Sequence, residues 1–213
     1  MLPVGEDLPA YLTHLVVLAP ALLLALAFHE FAHAWVAVRL GDTTPLDDGR
    51  LTMNPFSHLD PLGTLMFLIG PFGWARPVEV RGEAFARPLR DTALVALAGP
   101  GANLLLAVVS AAILRLVEAG GLTPGPVATP AAAVLAASVR VNVALAIFNL
   151  LPIPPLDGSR VLPWILPART AAALARVEAY APLLLVVLIF TDTLQPILRP
   201  LVAAVEGAIR WGS

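Results

Sequence analysis

The chain has 213 residues, of which 58% are hydrophobic and only 13% charged. A soluble domain carries about a quarter charged residues, so this composition cannot cover a water-facing surface and points to an integral membrane protein in contact with the lipid bilayer. A net charge of −2 gives no electrostatic footprint for nucleic acid, and the absence of cysteine excludes disulfides and thiolate metal sites.

The N-terminus, "MLPVGEDLPAYLTHLVVLAP", has no basic n-region and no small-residue cleavage site, so a cleaved signal peptide is not expected. The first apolar segment runs over 11–40 and is longer than the ~20 residues that cross a bilayer. Gly41-Asp42 is a stop signal, with Arg39 in the last turn. Residues 42–61 are polar, with turn signals at Asp48-Gly49 and Asn54-Pro55. Residues 62–72 are too few to span and too apolar for an ordinary loop. With the extended, Pro77-containing stretch behind them they predict a re-entrant or interfacial segment over 62–80.

A second span is predicted over 92–117 and a third over 131–151, separated by a Gly/Pro-rich loop. Pro152, Pro154 and Pro155 end the third. A partly amphipathic connection leads to a last span over 180–198. The expected fold is therefore an all-α polytopic membrane protein. It forms one membrane-embedded domain over 1–213, with about four transmembrane helices and a short re-entrant, β-like element.

Arginine counts orient the chain. Arg50, Arg76, Arg81, Arg87 and Arg90 lie between the first two spans, the 118–130 loop has none, and 152–179 holds Arg160, Arg169 and Arg176. The positive-inside rule places 41–91 and 152–179 in the cytoplasm.

Inside the first span stands "HEFAH". His29 and His33 are four apart, so they share a helix face one turn apart and can hold one metal ion. Glu30 then sits beside the metal, in place to act as general base on water. The alternative is a set of buried side chains hydrogen-bonded within the bundle. Ionisable groups in a span cost at least ~2.5 kcal/mol each on the insertion scale and mark function, which favours the metal. A catalytic zinc takes three protein ligands and keeps one open position. Asp157 directly follows the third span, which by parity ends on the same side as His33, so it is a candidate third ligand. Glu206, Asp192 and His58 are alternatives, although His58, in a polar loop, reads more readily as a solvated loop histidine. Arg140, in the middle of the third span, calls for water access or an acidic partner such as Glu118.

These residues resemble the site-2 protease family of intramembrane zinc metalloproteases, in its short form without a PDZ or CBS domain. "HEFAH" matches the family's H-E-x-x-H, and "NLLPIPPLDG" its N-x-x-P-x-P-x-x-D-G. "AGPGAN", ending at Asn103, is similar to its glycine-proline-asparagine element. "GWARPVEV" resembles a short-form segment, with Arg76 where lysine is frequent. The resemblance implies one zinc per chain on His29, His33 and Asp157, with Glu30 catalytic and Asn149 at the oxyanion or substrate. It also implies that the 62–80 region pairs with an unwound substrate, which makes Trp74, Pro77 and Val78 substrate contacts.

Asn142 lies seven residues before Asn149, on nearly the same face, and is read either as a substrate contact or as an interhelical hydrogen-bonding group. The implied activity is regulated intramembrane proteolysis of transmembrane protein substrates, in a bacterial inner membrane with the active site toward the cytoplasm. The rival functions are a transporter or metal-handling protein, or a catalytically silent binding protein on the same fold.

Overall fold

The computed structural model describes residues 8–69, 73–121 and 128–210. Their helices, in order, are α1 (Leu8–Leu40), α2 (Thr44–Asp47), α3 (Pro61–Ile69), α4 (Pro88–Leu116), α5 (Ala128–Asn149), α6 (Asp157–Ile165), α7 (Ala168–Val177), α8 (Ala181–Phe190) and α9 (Gln195–Ile209). Among the described residues the only β-pairing is an isolated antiparallel bridge between Leu59 and Ala75. Three helical stretches are long and apolar enough to cross a membrane, Leu15–Leu40, Pro88–Ala119 and Pro130–Asn149. A bent pair over 168–190 makes up to four.

Small residues make the core. On α1, Ala21, Ala25, Ala34 and Ala37 are fully buried, and the register 21, 25, 29, 33, 37 is a single i, i+4 stripe. The two histidines therefore ride on the helix's own packing face. α4 answers with Ala96, Gly99, Asn103, Ala107 and Ser110, and α5 with Ser138, Val139, Asn142, Val143 and Ala146, all buried. Helices meet closely in lipid through small side chains and interhelical hydrogen bonds. The large apolar residues face outward instead, among them Leu24, Leu97, Leu105, Val108, Ile113 and Leu116.

The connection between α1 and α4 is pinned at three points. Arg76 N–H donates to the His58 carbonyl at 2.8 Å, Val78 N–H to Glu30 Oε2 at 3.1 Å, and Arg81 N–H to Asp42 Oδ2 at 2.7 Å. Phe85 and Val80 pack on Ala37, Leu40 and Val95, which closes the end of α1 against the start of α4. Burial pushes the Asp42 carboxyl upward. Hydrogen bonds from Thr44 and the Arg81 backbone, with the Arg81 charge, outweigh burial and hold its pKa below the ordinary carboxylate value. A depressed carboxylate stabilises the fold at every pH above its unfolded value, and that contribution is lost as pH falls through the folded one. Asp42→Asn is thus expected to lower the thermal midpoint at neutral pH and to flatten its decline below pH 3.8. Melting curves across that range check it, and parallel curves for the two proteins would contradict it.

Two expectations change, for the last span and for Arg140, and the 62–80 segment is given its local structure. The span expected over 180–198 is divided: α8 ends at Phe190, Thr191 donates its hydroxyl to the Val187 carbonyl, and Asp192 turns with φ 54° before α9 begins at Gln195-Pro196. The re-entrant segment of 62–80 is helical through Ile69 and extended from 73, with 70–72 outside the described residues. Arg140 pairs with Glu206 of α9 at 3.9 Å rather than with Glu118, and Glu206 also meets Arg210 at 3.7 Å. α9 lies against α5, a contact that sequence distance hides.

Candidate functional site

α6 brings the third acidic group to the histidines. Leu156, just before it, is buried with Leu185 of α8 and Leu194, and Phe148, Leu151 and Leu198 pack around them. The Pro-rich turn is thereby clamped. Gly158 lies so close to the Leu150 carbonyl that a Cβ would overlap it, so the chain can turn into α6 there only as glycine. The result is a triangle: His29 Nε2 to His33 Nε2 3.0 Å, His29 Nε2 to Asp157 Oδ2 3.1 Å, and His33 Nε2 to Asp157 Oδ2 3.3 Å.

The hydrogen bonds behind the triangle decide what it can hold. His29 Nδ1 lies 2.6 Å from Asn103 Oδ1, and His33 Nδ1 lies 2.7 Å from the Val95 carbonyl. Both partners only accept, so both Nδ1 atoms carry the proton and both Nε2 atoms present lone pairs. Asp157 Oδ2 is buried without a hydrogen-bond donor. Three lone pairs crowded this closely repel one another unless a cation lies among them. Tetrahedral zinc with bonds of 2.0–2.1 Å places its ligand atoms about 3.3 Å apart. The donor set and the triangle's edges both fit zinc. His29, His33 and Asp157 are the one such group of potential metal ligands among the described residues.

Glu30 is buried beside them, with Oε2 held by the Val78 N–H. Gly99 of α4 packs directly on the imidazoles. A Cβ there would run into His33 Nε2 and come within 2.6 Å of His29 Cε1.

The other predicted residues divide. Asn142 is fully buried and bonded between helices, through Asn103. Asn149 closes α5 and donates its amide to the Leu145 carbonyl at 3.0 Å within its own helix. Trp74 packs its backbone and ring against Gly63 of α3. Val78 is buried and its N–H is committed to Glu30, while Pro77 is exposed. His58 is neither ligand nor solvated loop residue: it is fully buried, and Nε2 donates to the Thr52 carbonyl at 2.8 Å. Glu206 pairs with arginines, and Asp192 sits in the α8–α9 turn. Roles for Gly99, Asn103 and the Val95 carbonyl had no signal in the sequence beyond the "AGPGAN" string itself.

An apolar helical bundle enclosing a His-His-Asp triangle with a carboxylate beside it defines a membrane-embedded metallopeptidase. The model of peptidase family M50 matches residues 122–191, the stretch that carries Asp157. The chain is 38% identical over 189 residues to the protein named "Putative zinc metalloprotease YwhC" of Bacillus subtilis, covering 88% of this chain and 86% of that one. It is 34% identical over 181 residues to "Putative zinc metalloprotease Rip2" of Mycolicibacterium smegmatis (81% and 66%), and 34% identical over 194 residues to Rip2 of Mycobacterium tuberculosis (87% and 71%). No solved structure matches. The chain belongs to peptidase family M50, the site-2 protease family, and is a zinc metalloprotease of the membrane.

If Asp157 is the third ligand, Asp157→Ala is expected to lower bound zinc from one per chain to a small fraction after dialysis. Two imidazoles alone leave the cation short of the three protein ligands a catalytic site keeps. Metal analysis of the purified chain checks this, and an unchanged stoichiometry would move the third ligand elsewhere.

Proposed function

We propose that this protease hydrolyses peptide bonds within or next to the transmembrane segments of other membrane proteins, from a site facing the cytoplasm of a bacterial cell. The carrying observation is the triangle of His29, His33 and Asp157 lying inside the apolar bundle, with His33 about 10 Å short of the end of α1.

Bound to the triangle, zinc supplies a Lewis acid that acidifies water and polarises the scissile carbonyl. Glu30 does the proton work. The Val78 N–H fixes Oε2, which leaves Oε1 to take a proton from water and deliver it to the leaving amine as the C–N bond breaks. Asn149, at the end of α5, is assigned to the substrate backbone or the developing oxyanion by its motif; that role requires its amide to leave the Leu145 carbonyl.

A helical substrate hides its peptide bonds and must unwind. The 73–80 segment supports strand pairing as the means. Arg76 N–H and Val78 N–H are both taken up internally, and alternate residues of a strand face the same edge. The opposite edge, with the Pro77 carbonyl and the Glu79 backbone, is the one open to a substrate strand. Trp74, at the start of the segment, also lines an apolar groove of about 490 Å³ with Leu15, Leu22, Leu26, Phe56 and Leu145, which suits a substrate's apolar stretch. Zinc held by three ligands beside a positioned base favours hydrolysis over transport or passive binding.

The test is fragment mapping. The reconstituted chain is given a single-span substrate with soluble extensions, and the products are sequenced by mass spectrometry. Cuts within or beside the span are expected. Cuts confined to the soluble extensions would overturn the proposal.

A further inference from the structure

A continuous buried chain of polar side chains runs away from the metal triangle across three helices. His29 Nδ1 donates to Asn103 Oδ1 at 2.6 Å. Asn103 Nδ2 donates to the Ala25 carbonyl at 3.0 Å and to Asn142 Oδ1 at 2.8 Å. Asn142 Nδ2 donates to the Ser138 carbonyl at 2.9 Å and the Ser138 hydroxyl at 3.2 Å, and that hydroxyl meets Ser110 Oγ at 2.9 Å. Asn103 and Asn142 are completely buried, and Ser110 and Ser138 nearly so.

The direction of every bond from His29 to Ser138 is forced; between the Ser138 and Ser110 hydroxyls either can donate. Backbone carbonyls only accept, so the atom of Asn103 that faces Ala25 is nitrogen, and so is the atom of Asn142 that faces the Ser138 carbonyl. Turning the Asn103 amide over would set its oxygen against the Ala25 carbonyl and against Asn142 Oδ1, and would offer His29 a donor in place of an acceptor. Turning Asn142 over would set its oxygen against Ser138. Each amide locks the next, and the last link is the ring of a metal ligand. Outer groups that fix the tautomer and orientation of a ligating histidine set metal affinity.

We propose that Asn142 is a positioning residue of the zinc site: acting through Asn103, it holds His29 in the one tautomer and orientation that present Nε2 to the metal. This rests on His29, His33 and Asp157 being the ligands, and it gives Asn142 a task inside the protein in place of contact with substrate.

The experiment measures zinc affinity by chelator competition on the purified chain. Alongside it, nitrogen-15 NMR of the metal-free protein reports the His29 tautomer, resolved among only four histidines. Asn142→Leu removes the acceptor that Asn103 faces. Asn142→Thr keeps a hydroxyl for the Ser138 carbonyl yet is too short to reach Asn103, and it serves if the leucine variant does not fold. Both leave the Ala25 carbonyl as the one group that still fixes the Asn103 amide, and both are expected to weaken zinc binding about tenfold, the low end of what such outer groups contribute, and to raise the minor His29 tautomer. Asn142→Asp, whose carboxyl in the acid form favoured by burial supplies the same acceptor and donor, is expected to stay near wild type. Ser110→Ala, beyond the last amide, is expected to change neither reading.

Unchanged affinity and tautomer in the leucine and threonine variants would overturn the proposal. So would an aspartate variant as weak as the leucine one, because packing rather than amide direction would then be at stake. A wild-type chain that binds no zinc would instead remove the metal reading itself, a separate outcome.

Discussion

Glu30→Gln is expected to stop cleavage while leaving zinc in place. The substitution keeps the side chain's length and leaves an amide oxygen to accept the Val78 N–H, so the contact at 3.1 Å survives. What it removes is the basic oxygen. General-base catalysis is worth about 10²–10⁴ in rate, and the turnover of a single-span substrate should fall by that factor. Glu30 is absent from the triangle of potential ligand atoms, so metal content should stay at the wild-type level. Equal cleavage by both proteins would end the general-base role. Loss of zinc would instead put Glu30 among the groups that hold the metal.

Gly99→Ala is expected to weaken zinc binding without replacing any ligand. The added Cβ would overlap His33 Nε2 and lie 2.6 Å from His29 Cε1. Neither ring can retreat easily, because each is tied through Nδ1, to Asn103 and to the Val95 carbonyl. Forcing one methyl into such a contact costs about 1–3 kcal/mol. Taken up by the two ligands, that is roughly five- to 150-fold in zinc affinity. Gly101→Ala is the internal control. A Cβ at Gly101 meets nothing within 4 Å, and alanine favours the helix, so its zinc binding should match wild type. If Gly99→Ala binds zinc as tightly as Gly101→Ala, the close approach of α4 to the histidines does not govern the site.

Much of the site was legible in the chain itself because its chemistry is local in sequence. His29, Glu30 and His33 need only a helix to share a face, and an apolar segment of this length must be helical in lipid, where every backbone group has to be satisfied internally. Asp157 was reachable because topology placed the end of the third span on the same side as His33, and the resemblance then singled it out. What holds these groups was not legible. Asn103 and Asn142 are 39 residues apart, and Val78 lies 48 residues from Glu30; no periodicity connects such partners. His58 looked like a solvated loop residue because the residues around it are polar, yet the 54–59 turn folds it inward against Thr52.

The amino-acid sequence determined a membrane bundle with a metal-ligating helix, because hydrophobic length and residue spacing act along one chain, and it offered Asp157 as a candidate third ligand. Tertiary structure alone decided how the ligands are aimed. It chose Gly99 to let α4 approach the imidazoles, bound the 73–80 segment across Glu30, broke the last apolar stretch between α8 and α9, and gave Arg140 its partner in Glu206. Those outcomes depend on which helix faces meet, and small side chains permit several close packings that only the assembled bundle resolves.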